Sequence, residues 1–410
     1  MESHDLPTSL DEPVHHARPV GVGSLRLDLR SNDPHVITRF DRLFEALPAP
    51  VDGGLVIDAV ILSWRPDAGD GPLMYKLDVD GETLGSSAQL SEPELWLTRR
   101  LNQSRLDVEP HLLHIHSAAL AREGRAVMLV GRSRSGKSTL TARLLQRGWD
   151  YLTDEQVALQ PSSISIESYP RPITLRHPVW PLFPHVEGVP SIQPDDGRPA
   201  RIEVAPSALG SVHVAGALEV TLLLAPSYEP DEPLGLLPFE TRSHVVEWLS
   251  TNCFDLDRVG PDGFAQLVEL ARRCPAWRLI SSDVDQAASL VRKAFESALT
   301  APIVEVRHIP PTLAIEPLAP NGLRRATGAH AWAFADGSCV VYEPSSRTMA
   351  RLDKAGTQVW EVLANEHQAN NVDWSASSGR PDTAGTLDGW LVALVAAGLI
   401  ETTEKRETPG

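Results

Sequence analysis

The chain has 410 residues, and its 54 acidic side chains outnumber 37 lysines and arginines, which gives a formal charge of −17. This length suggests two or three domains, and the acidic balance argues against a nucleic-acid binder or a protein that binds anionic membranes. The three cysteines lie far apart, which excludes a disulfide scaffold and a thiolate zinc site and is typical of a reducing compartment. No apolar run reaches the roughly 20 residues of a membrane span, so we expect a cytoplasmic protein without a membrane partner.

The N-terminal quarter of the sequence reads as a β-rich lobe. Residues 1–20 are polar and aperiodic and predict a loose tail. Residues 21–108 alternate short apolar runs with turns rich in glycine and aspartate, and change to helical spacing near 93–106. The predicted strands of this lobe cover 24–29, 55–64 and 73–79.

The remaining sequence divides into an α/β domain and a smaller C-terminal unit. Strand-like and helix-like runs alternate over 109–305, which is typical of an α/β domain. Within it, residues 187–208 are rich in proline and glycine and predict a long, mobile surface loop. Several prolines over 306–322 predict a stiff linker, residues 323–402 form a compact unit, and residues 403–410 read as a charged tail.

The most informative segment is a glycine-rich loop in the α/β domain. An apolar strand at 126–130 leads into the pattern G-x-x-x-x-G-K-S, and an amphipathic helix follows at 139–146. In this context the pattern is a phosphate-binding loop: backbone N–H groups surround the phosphates, the lysine bridges the β- and γ-phosphates, and the last hydroxyl binds Mg²⁺. The predicted nucleotide-binding residues are Gly131, Arg132, Ser133, Arg134, Ser135, Gly136, Lys137, Ser138 and Thr139.

Two adjacent carboxylates, Asp154 and Glu155, follow the next short strand. Ligands of open α/β sheets collect at the carboxyl ends of strands, so we expect the pair near the loop. One carboxylate can hold Mg²⁺ while the other accepts a proton from an attacking hydroxyl. The alternative is a solvated turn with two acidic residues.

A histidine precedes the loop strand. His116 lies on a predicted strand at 116–120, where a single histidine is more often structural than catalytic. His111 and His114 are close in sequence, but three histidines without a carboxylate in register make a weak metal site.

His116, the glycine-rich loop and the Asp154–Glu155 pair together resemble the catalytic domain of HPr kinase/phosphorylase. They are more similar still to the HPr-kinase-related proteins found beside peptide-modification genes. The resemblance covers about residues 111–303 and implies phosphoryl transfer from ATP, or another nucleoside triphosphate, to a hydroxyl. The resemblance implies that Asp154 is the general base and that Glu155 helps Ser138 and Asp154 to hold Mg²⁺. It also implies that His116 adjusts the charge beside the base.

Two further segments refine this resemblance. The apolar run 218–224 continues as Ala-Pro-Ser with no acid at its end, whereas a typical P-loop ATPase has an aspartate there, which favours the kinase. Residues 169–176 are similar to the P-R-P-I-x-L segment of the related kinases, so Arg171 or Arg176 is a candidate to neutralise transferred phosphate; either is equally explained as a surface or ion-pair arginine. The stretch that follows the acids in HPr kinase/phosphorylase itself is not evident, so we do not expect HPr as substrate.

The C-terminal unit resembles a second family. Strands are predicted at 331–334, 339–342 and 348–352, then a helix carrying Val359, Trp360 and Leu363, a polar gap at 365–383 and a last helix at 387–397. This order is similar to the PqqD-like winged-helix domain, the recognition element for precursor peptides. The resemblance implies that the leader segment of a ribosomal peptide adds as an edge strand, while Trp360 and its neighbours are core.

The sequence therefore predicts an α/β protein: a P-loop, HPr-kinase-like core with a small β-rich N-terminal lobe and a C-terminal winged-helix (PqqD-like) domain. We expect an ATP- and Mg²⁺-dependent kinase acting on a Ser or Thr hydroxyl of a precursor peptide, with the leader segment and other peptide-modification enzymes as partners. Two alternatives remain: a kinase of a small-molecule or free amino acid hydroxyl, and a non-catalytic, nucleotide-switched peptide chaperone. A homo-oligomer is left open because HPr-kinase relatives often form hexamers.

Overall fold

The structure, a computed structural model, describes residues 14–66, 71–186, 189–191, 201–213, 216–311, 323–363 and 387–402. It is a mixed α/β protein with several sheets, as predicted. Within the described ranges no helix combines the length and the apolar character needed to cross a bilayer. The tail at 403–410, the polar gap at 365–383 and most of the predicted N-terminal tail lie outside the described residues.

The N-terminal lobe is a six-stranded sheet with helices packed on its apolar face. Its elements are β1 (His15–His16), β2 (Val20–Val22), β3 (Leu25–Ser31), α1 (Pro34–Leu43), β4 (Leu55–Trp64), β5 (Met74–Val79), β6 (Glu82–Ser87) and α2 (Ser91–Val108). Alternate side chains of β3 are buried, as expected for a strand with one face on a core. β1 pairs with the end of β3, so the prediction of a loose tail is wrong for these two residues. Helix α1 was not predicted.

The α/β domain is built on an eight-stranded sheet in the order β11-β10-β7-β8-β15-β17-β16, with β9 also paired to β7. Its strands are β7 (Leu113–Arg122), β8 (Arg125–Val130), β9 (Asp150–Thr153), β10 (Gln156–Leu159), β11 (Ser165–Ile166), β12 (Ile173–Arg176), β13 (Val189–Ser191), β14 (Arg201–Val204), β15 (Leu218–Tyr228), β16 (Gly235–Pro238) and β17 (Ala276–Ser281). Its helices are α3 (Lys137–Gln146), α4 (Arg242–Ser250), α5 (Leu256–Arg273) and α6 (Val284–Ala298), with short 3-10 turns at His177–Leu182 and Pro206–Ala208.

Both faces of this sheet are covered. The parallel neighbours β8, β15 and β17 form its centre, and helices α4 and α5 pack on one face while α3 and α6 pack on the other. This arrangement explains why β8 is an unbroken apolar run rather than an alternating one. It also brings the end of β8, where the glycine-rich loop begins, to the same edge as the ends of β15 and β17.

Strands β12, β14 and β13 form a separate antiparallel sheet beside the α/β sheet. We call its first two strands the β12–β14 ribbon. Strands β13 and β14 lie within residues 187–208, which the sequence analysis read as a mobile loop. That prediction is wrong for these strands, because Arg201–Val204 alternates polar and apolar side chains in register with Ile173–Arg176.

The C-terminal unit contributes a four-stranded sheet, in the order β18-β20-β21-β22, which we call the C-terminal sheet. Its elements are β18 (Val306–Ile309), β19 (Leu323–Arg325), β20 (His330–Phe334), β21 (Cys339–Glu343), β22 (Thr348–Leu352), α7 (Lys354–Leu363), α8 (Leu387–Ala396) and β23 (Ile400–Thr402). The three predicted strands and both helices of this unit are confirmed. Residues 306–309 are not linker, since β18 pairs with β20.

The two faces of the C-terminal sheet belong to different cores. Trp332, Phe334 and Tyr342 pack into the core of the α/β domain, where Tyr342 stacks on Phe264 with ring centroids 4.7 Å apart. The alternate residues of the same strands pack with Trp360 and the helices of the C-terminal unit. With both faces buried, the edge strands are the sheet's accessible backbone.

Candidate functional site

Residues 131–138, which we call the GKS loop, connect β8 to helix α3. Gly136 has φ +95°, a left-handed conformation that glycine adopts without strain, and its carbonyl accepts the N–H of Leu140 to begin the helix. Lys137 is 7% exposed and turns back across the loop, where Nζ donates to the carbonyls of Gly131 and Arg132. Burial lowers the pKa of Lys137, against the opposing charges of nearby carboxylates. The lysine is thus desolvated and held by neutral acceptors.

Asp154 lies directly beside the start of helix α3. It follows strand β9, is 5% exposed, and lies near enough to Ser138 for the serine hydroxyl to affect its pKa. Burial raises the pKa of Asp154 to about 7, with a further increase from Glu155, against the lowering effect of the Ser138 hydroxyl. Its Oδ1 is buried without a hydrogen-bond partner among the described residues. A buried carboxylate oxygen without a partner is costly, which makes it a natural ligand for a cation.

Glu155, the second acid, faces two basic side chains. His116 Nε2 and Arg171 Nη1 each lie 3.5 Å from a carboxylate oxygen of Glu155. Burial and the Lys137 charge lower the pKa of His116, which keeps its imidazole neutral near pH 7. Burial opposes the charge of Arg171, but Glu155, Tyr169, Glu203 and Tyr151 together outweigh it and raise the pKa of this guanidinium. Glu155 itself is 42% exposed, so it is the acid of the pair that an incoming ligand can reach.

The structure brings most of the predicted site residues to one edge of the sheet. His116 on β7, Lys137 and Ser138 at the start of α3, and the two acids after β9 form one group. Arg171 joins it through Glu155. Arg176 does not join it and instead donates to Ser133 Oγ at 3.2 Å on the outer side of the loop. The remaining predicted loop residues are exposed or partly buried, apart from Gly131, which is buried; they are Arg132, Ser133, Arg134, Ser135, Gly136 and Thr139.

Two residues near the site were missed in the sequence. Glu203 and Arg201, both on β14, lie on the ribbon opposite Thr174 and Arg176. Burial raises the pKa of Glu203 to about 7, against Arg171 and the hydrogen bond from Thr174. The signal that marks them is the alternation of polar and apolar residues over 201–204, inside a segment otherwise rich in turn formers.

The arrangement beside the loop is suited to Mg²⁺. Within the described ranges no group of three or more His, Cys, Asp or Glu side chains is placed to hold a metal ion, and His114 is occupied by Asp255 at 2.9 Å. Mg²⁺ usually takes one or two carboxylates and completes its shell with phosphate and water. The Ser138 hydroxyl and the unpartnered oxygen of Asp154 fit that requirement.

The carboxyl end of strand β15 lies farther along the chain than the apolar run 218–224 predicted. The strand runs on through Tyr228, beyond the proline at which the apolar run ended, and exposed Glu229 follows it. The carboxylate of Glu229 accepts from Ser227 Oγ at 2.7 Å. It is Asp154, after β9, whose pKa the Ser138 hydroxyl lowers.

The C-terminal sheet offers a second candidate site at its edge. Among the described residues no strand pairs with the outer side of β22. Its Arg351 pairs with Glu247 of α4 at 3.0 Å, which ties this edge strand to the α/β domain. An extended segment can add to such an edge through main-chain hydrogen bonds.

No protein-family model and no curated protein sequence matches this chain. The residues and their geometry are therefore the basis for its function.

Proposed function

We propose that this protein is an ATP-dependent kinase, related to HPr kinase/phosphorylase, that phosphorylates a Ser or Thr hydroxyl of a ribosomally made precursor peptide. The observation that carries the proposal is the buried Asp154 near Ser138: one of its carboxylate oxygens lacks a hydrogen-bond partner among the described residues, and burial raises its pKa to about 7 against the lowering effect of the Ser138 hydroxyl. These are the two side chains that phosphoryl transfer uses for metal binding and proton transfer, next to the loop lysine.

The nucleotide binds at the GKS loop in this proposal. Backbone N–H groups of the loop and the N-terminus of helix α3 attract the phosphates. Lys137 exchanges its two neutral carbonyl acceptors for phosphate oxygens, which are stronger partners for a charged donor. Ser138 and the two acids, Asp154 and Glu155, would hold Mg²⁺, which would supply positive charge to the phosphates. Glu155 supports the metal through its position beside Asp154.

The transfer step uses Asp154 as a general base. The acceptor hydroxyl oxygen forms a bond to the γ-phosphorus while the bond from that phosphorus to the β-phosphate oxygen breaks. The hydroxyl proton passes to Asp154, and the broken bond's electron pair leaves with ADP. A base with a pKa near the working pH accepts this proton efficiently, and burial raises the pKa of Asp154 to about 7 in the metal-free protein. Neutral His116 and charged Arg171 hold Glu155 in place.

The peptide is held by the PqqD-like C-terminal unit. The outer edge of β22, which pairs with no strand among the described residues, supports this part of the proposal, because a leader segment can extend the C-terminal sheet there. The shared core around Phe264 and Tyr342 connects that edge firmly to the α/β domain. Binding the leader on the same chain raises the effective concentration of the acceptor hydroxyl.

The decisive experiment incubates the full chain with ATP, Mg²⁺ and the precursor peptide encoded beside the gene, followed by mass spectrometry. We expect a mass increment of one phosphate on the peptide, and none with Asp154→Asn. A matched control is Asp150→Asn, which changes a carboxylate at the start of the same strand. An unmodified peptide, with nucleotide binding intact, would overturn the kinase and leave a nucleotide-switched chaperone. Phosphorylation of free amino acids or small hydroxyl compounds, but not of the peptide, would favour the small-molecule kinase.

A further inference from the structure

The β12–β14 ribbon places two arginines directly opposite each other. Side chains alternate across a strand, so Thr174 and Arg176 share one face with Arg201 and Glu203, while Ile173 and its alternates pack in the core. On the polar face Thr174 donates to Glu203 at 2.9 Å, but Arg176 stands opposite Arg201. Like charges in this position destabilise a strand pair, so the placement has a cost that needs an explanation.

This pair lies beside the GKS loop. Arg176 Nη2 donates to Ser133 Oγ at 3.2 Å. Burial, followed by the charges of Arg201 and Arg134, lowers the pKa of Arg176, so the three guanidinium groups act on one another. We call Arg134, Arg176 and Arg201 the arginine cluster. No Asp or Glu in the described part of the chain forms an ion pair with any of its members.

The cluster differs from three arginines on neighbouring segments, each of which pairs with a carboxylate. Arg143 and Arg147 on and after helix α3 both pair with Asp285, and Arg171 pairs with Glu155. With a net charge of −17, carboxylates are plentiful. A cluster that finds none of them among the described residues is suited to a negative ligand.

We propose that the arginine cluster is a phosphate-binding site beside the GKS loop, and that Arg201 is one of its binding residues. Guanidinium groups match phosphate oxygens with pairs of parallel hydrogen bonds, and several of them are needed to neutralise a doubly charged group. The phosphate belongs either to the nucleotide on the loop, in which case the inference rests on the proposed function, or to a second, phosphorylated ligand.

The test measures the affinities of ATP, ADP and inorganic phosphate by calorimetry for the full chain and for Arg201→Gln and Arg176→Gln. Arg292→Gln is the matched control, because Arg292 is exposed and pairs only within helix α6. If the cluster holds a nucleotide phosphate, the two variants lose at least about tenfold in ATP affinity, as expected for a lost charged hydrogen bond. If it holds a second ligand, both variants keep their nucleotide affinities and lose inorganic phosphate binding.

A second readout separates binding from structure. Removing one charge of the Arg176–Arg201 pair should raise the melting temperature of the ligand-free protein and reduce the increase that ligand produces. A merely structural arginine would lower the melting temperature instead. Affinities that match those of Arg292→Gln for all three probes would overturn the site, as would a wild-type chain that binds none of them. Wild-type protein that binds phosphate but no nucleotide, with this binding lost in Arg176→Gln and Arg201→Gln, would keep the site and overturn the proposed kinase.

Discussion

The GKS loop region and the C-terminal sheet are both built on buried strands, but they leave different groups available to a ligand. Around the loop, polar side chains such as Lys137 and Asp154 are desolvated inside the fold, and one carboxylate oxygen of Asp154 has no hydrogen-bond partner in the described part of the chain. In the C-terminal sheet the side chains are committed to two cores, and the backbone of an edge strand is what remains. Single side-chain substitutions can therefore test the function of the GKS loop region. Testing the C-terminal sheet requires a measurement on its backbone amides.

The largest expected effect tests the side-chain chemistry of the first region. Asp154→Asn keeps the shape of the side chain but removes its charge and its ability to accept a proton. We expect the rate of phosphoryl transfer to fall by at least about 10³-fold, with ADP affinity retained, in a quenched-flow assay. Asp150→Asn should keep the wild-type rate. A loss below about tenfold in Asp154→Asn would remove this residue from the role of general base.

The next effect tests whether the α/β domain and the C-terminal sheet share one hydrophobic core. Phe264, on α5, is fully buried and lies against Trp332 and Tyr342 of the C-terminal sheet. We expect Phe264→Ala to lower the free energy of unfolding by about 3–5 kcal/mol and to reduce hydrogen-exchange protection in β8 and β21 together. Leu237→Ala, at a 45% exposed position, is the control and should have little effect.

Loss of hydrogen-exchange protection in only β8 or only β21 would contradict a shared core. It would favour two separately folding domains, as the sequence suggested. The shared core also has a practical consequence. Deletion from residue 323 onward would expose Phe264 and its neighbours, so that a truncated chain cannot separate peptide binding from catalysis. Substitutions and peptide titrations on the full chain avoid this problem.

The sequence predicted the parts of the site that depend on local order. The strand, loop and helix around Lys137 are contiguous, and the acids at 154 and 155 follow the next strand, so the general rule for strand ends was sufficient. Arg201 and Glu203 depend on the pairing of two four-residue strands that are far apart in the chain. Such short alternating runs do not distinguish a strand from a loop, and their distance from the GKS loop is a tertiary property.

The same reasoning applies to the remaining differences in the fold. Strand β18 lies in a proline-rich neighbourhood but is itself free of proline, and it forms only because β20 offers an edge. Helix α1 had a readable signal that was overlooked: Asp33 caps it by accepting the N–H of His35, and Pro34 is its first residue.

A smaller effect tests the electrostatics of Glu203, a partly buried carboxylate. Burial raises the pKa of Glu203 from 4.5 to about 7. The folded state therefore binds this proton more tightly than the unfolded chain, so the stabilising contribution is complete below about pH 4.5 and is lost as the pH rises through about 7. The side chain of Glu203→Gln cannot ionise, so the variant does not lose this contribution. The free energy of unfolding of the variant minus that of the wild type should therefore increase by about 2 kcal/mol between the low and the high end of this pH range.

Chemical denaturation at about pH 5 and about pH 8 measures this difference. The control is Glu167→Gln, which replaces an exposed glutamate of the same domain and should follow the wild type at both pH values. A stability difference between Glu203→Gln and wild type that does not change with pH would show that Glu203 is ionised or protonated throughout and does not feel its burial.

The smallest effect is expected at the edge of the C-terminal sheet, where no side chain need change. If a leader segment pairs with β22, its main-chain hydrogen bonds should slow amide hydrogen exchange over Thr348–Leu352 by about tenfold with peptide in excess. The opposite edge strand, Val306–Ile309, belongs to the same sheet and serves as an internal control that should not change. Slower exchange in Val306–Ile309 instead would show that the peptide pairs with that strand and not with β22. If the peptide binds but changes the amide hydrogen-exchange rate of neither edge strand, strand addition is excluded. Because both faces of this sheet are buried, the peptide would then have to contact the helices.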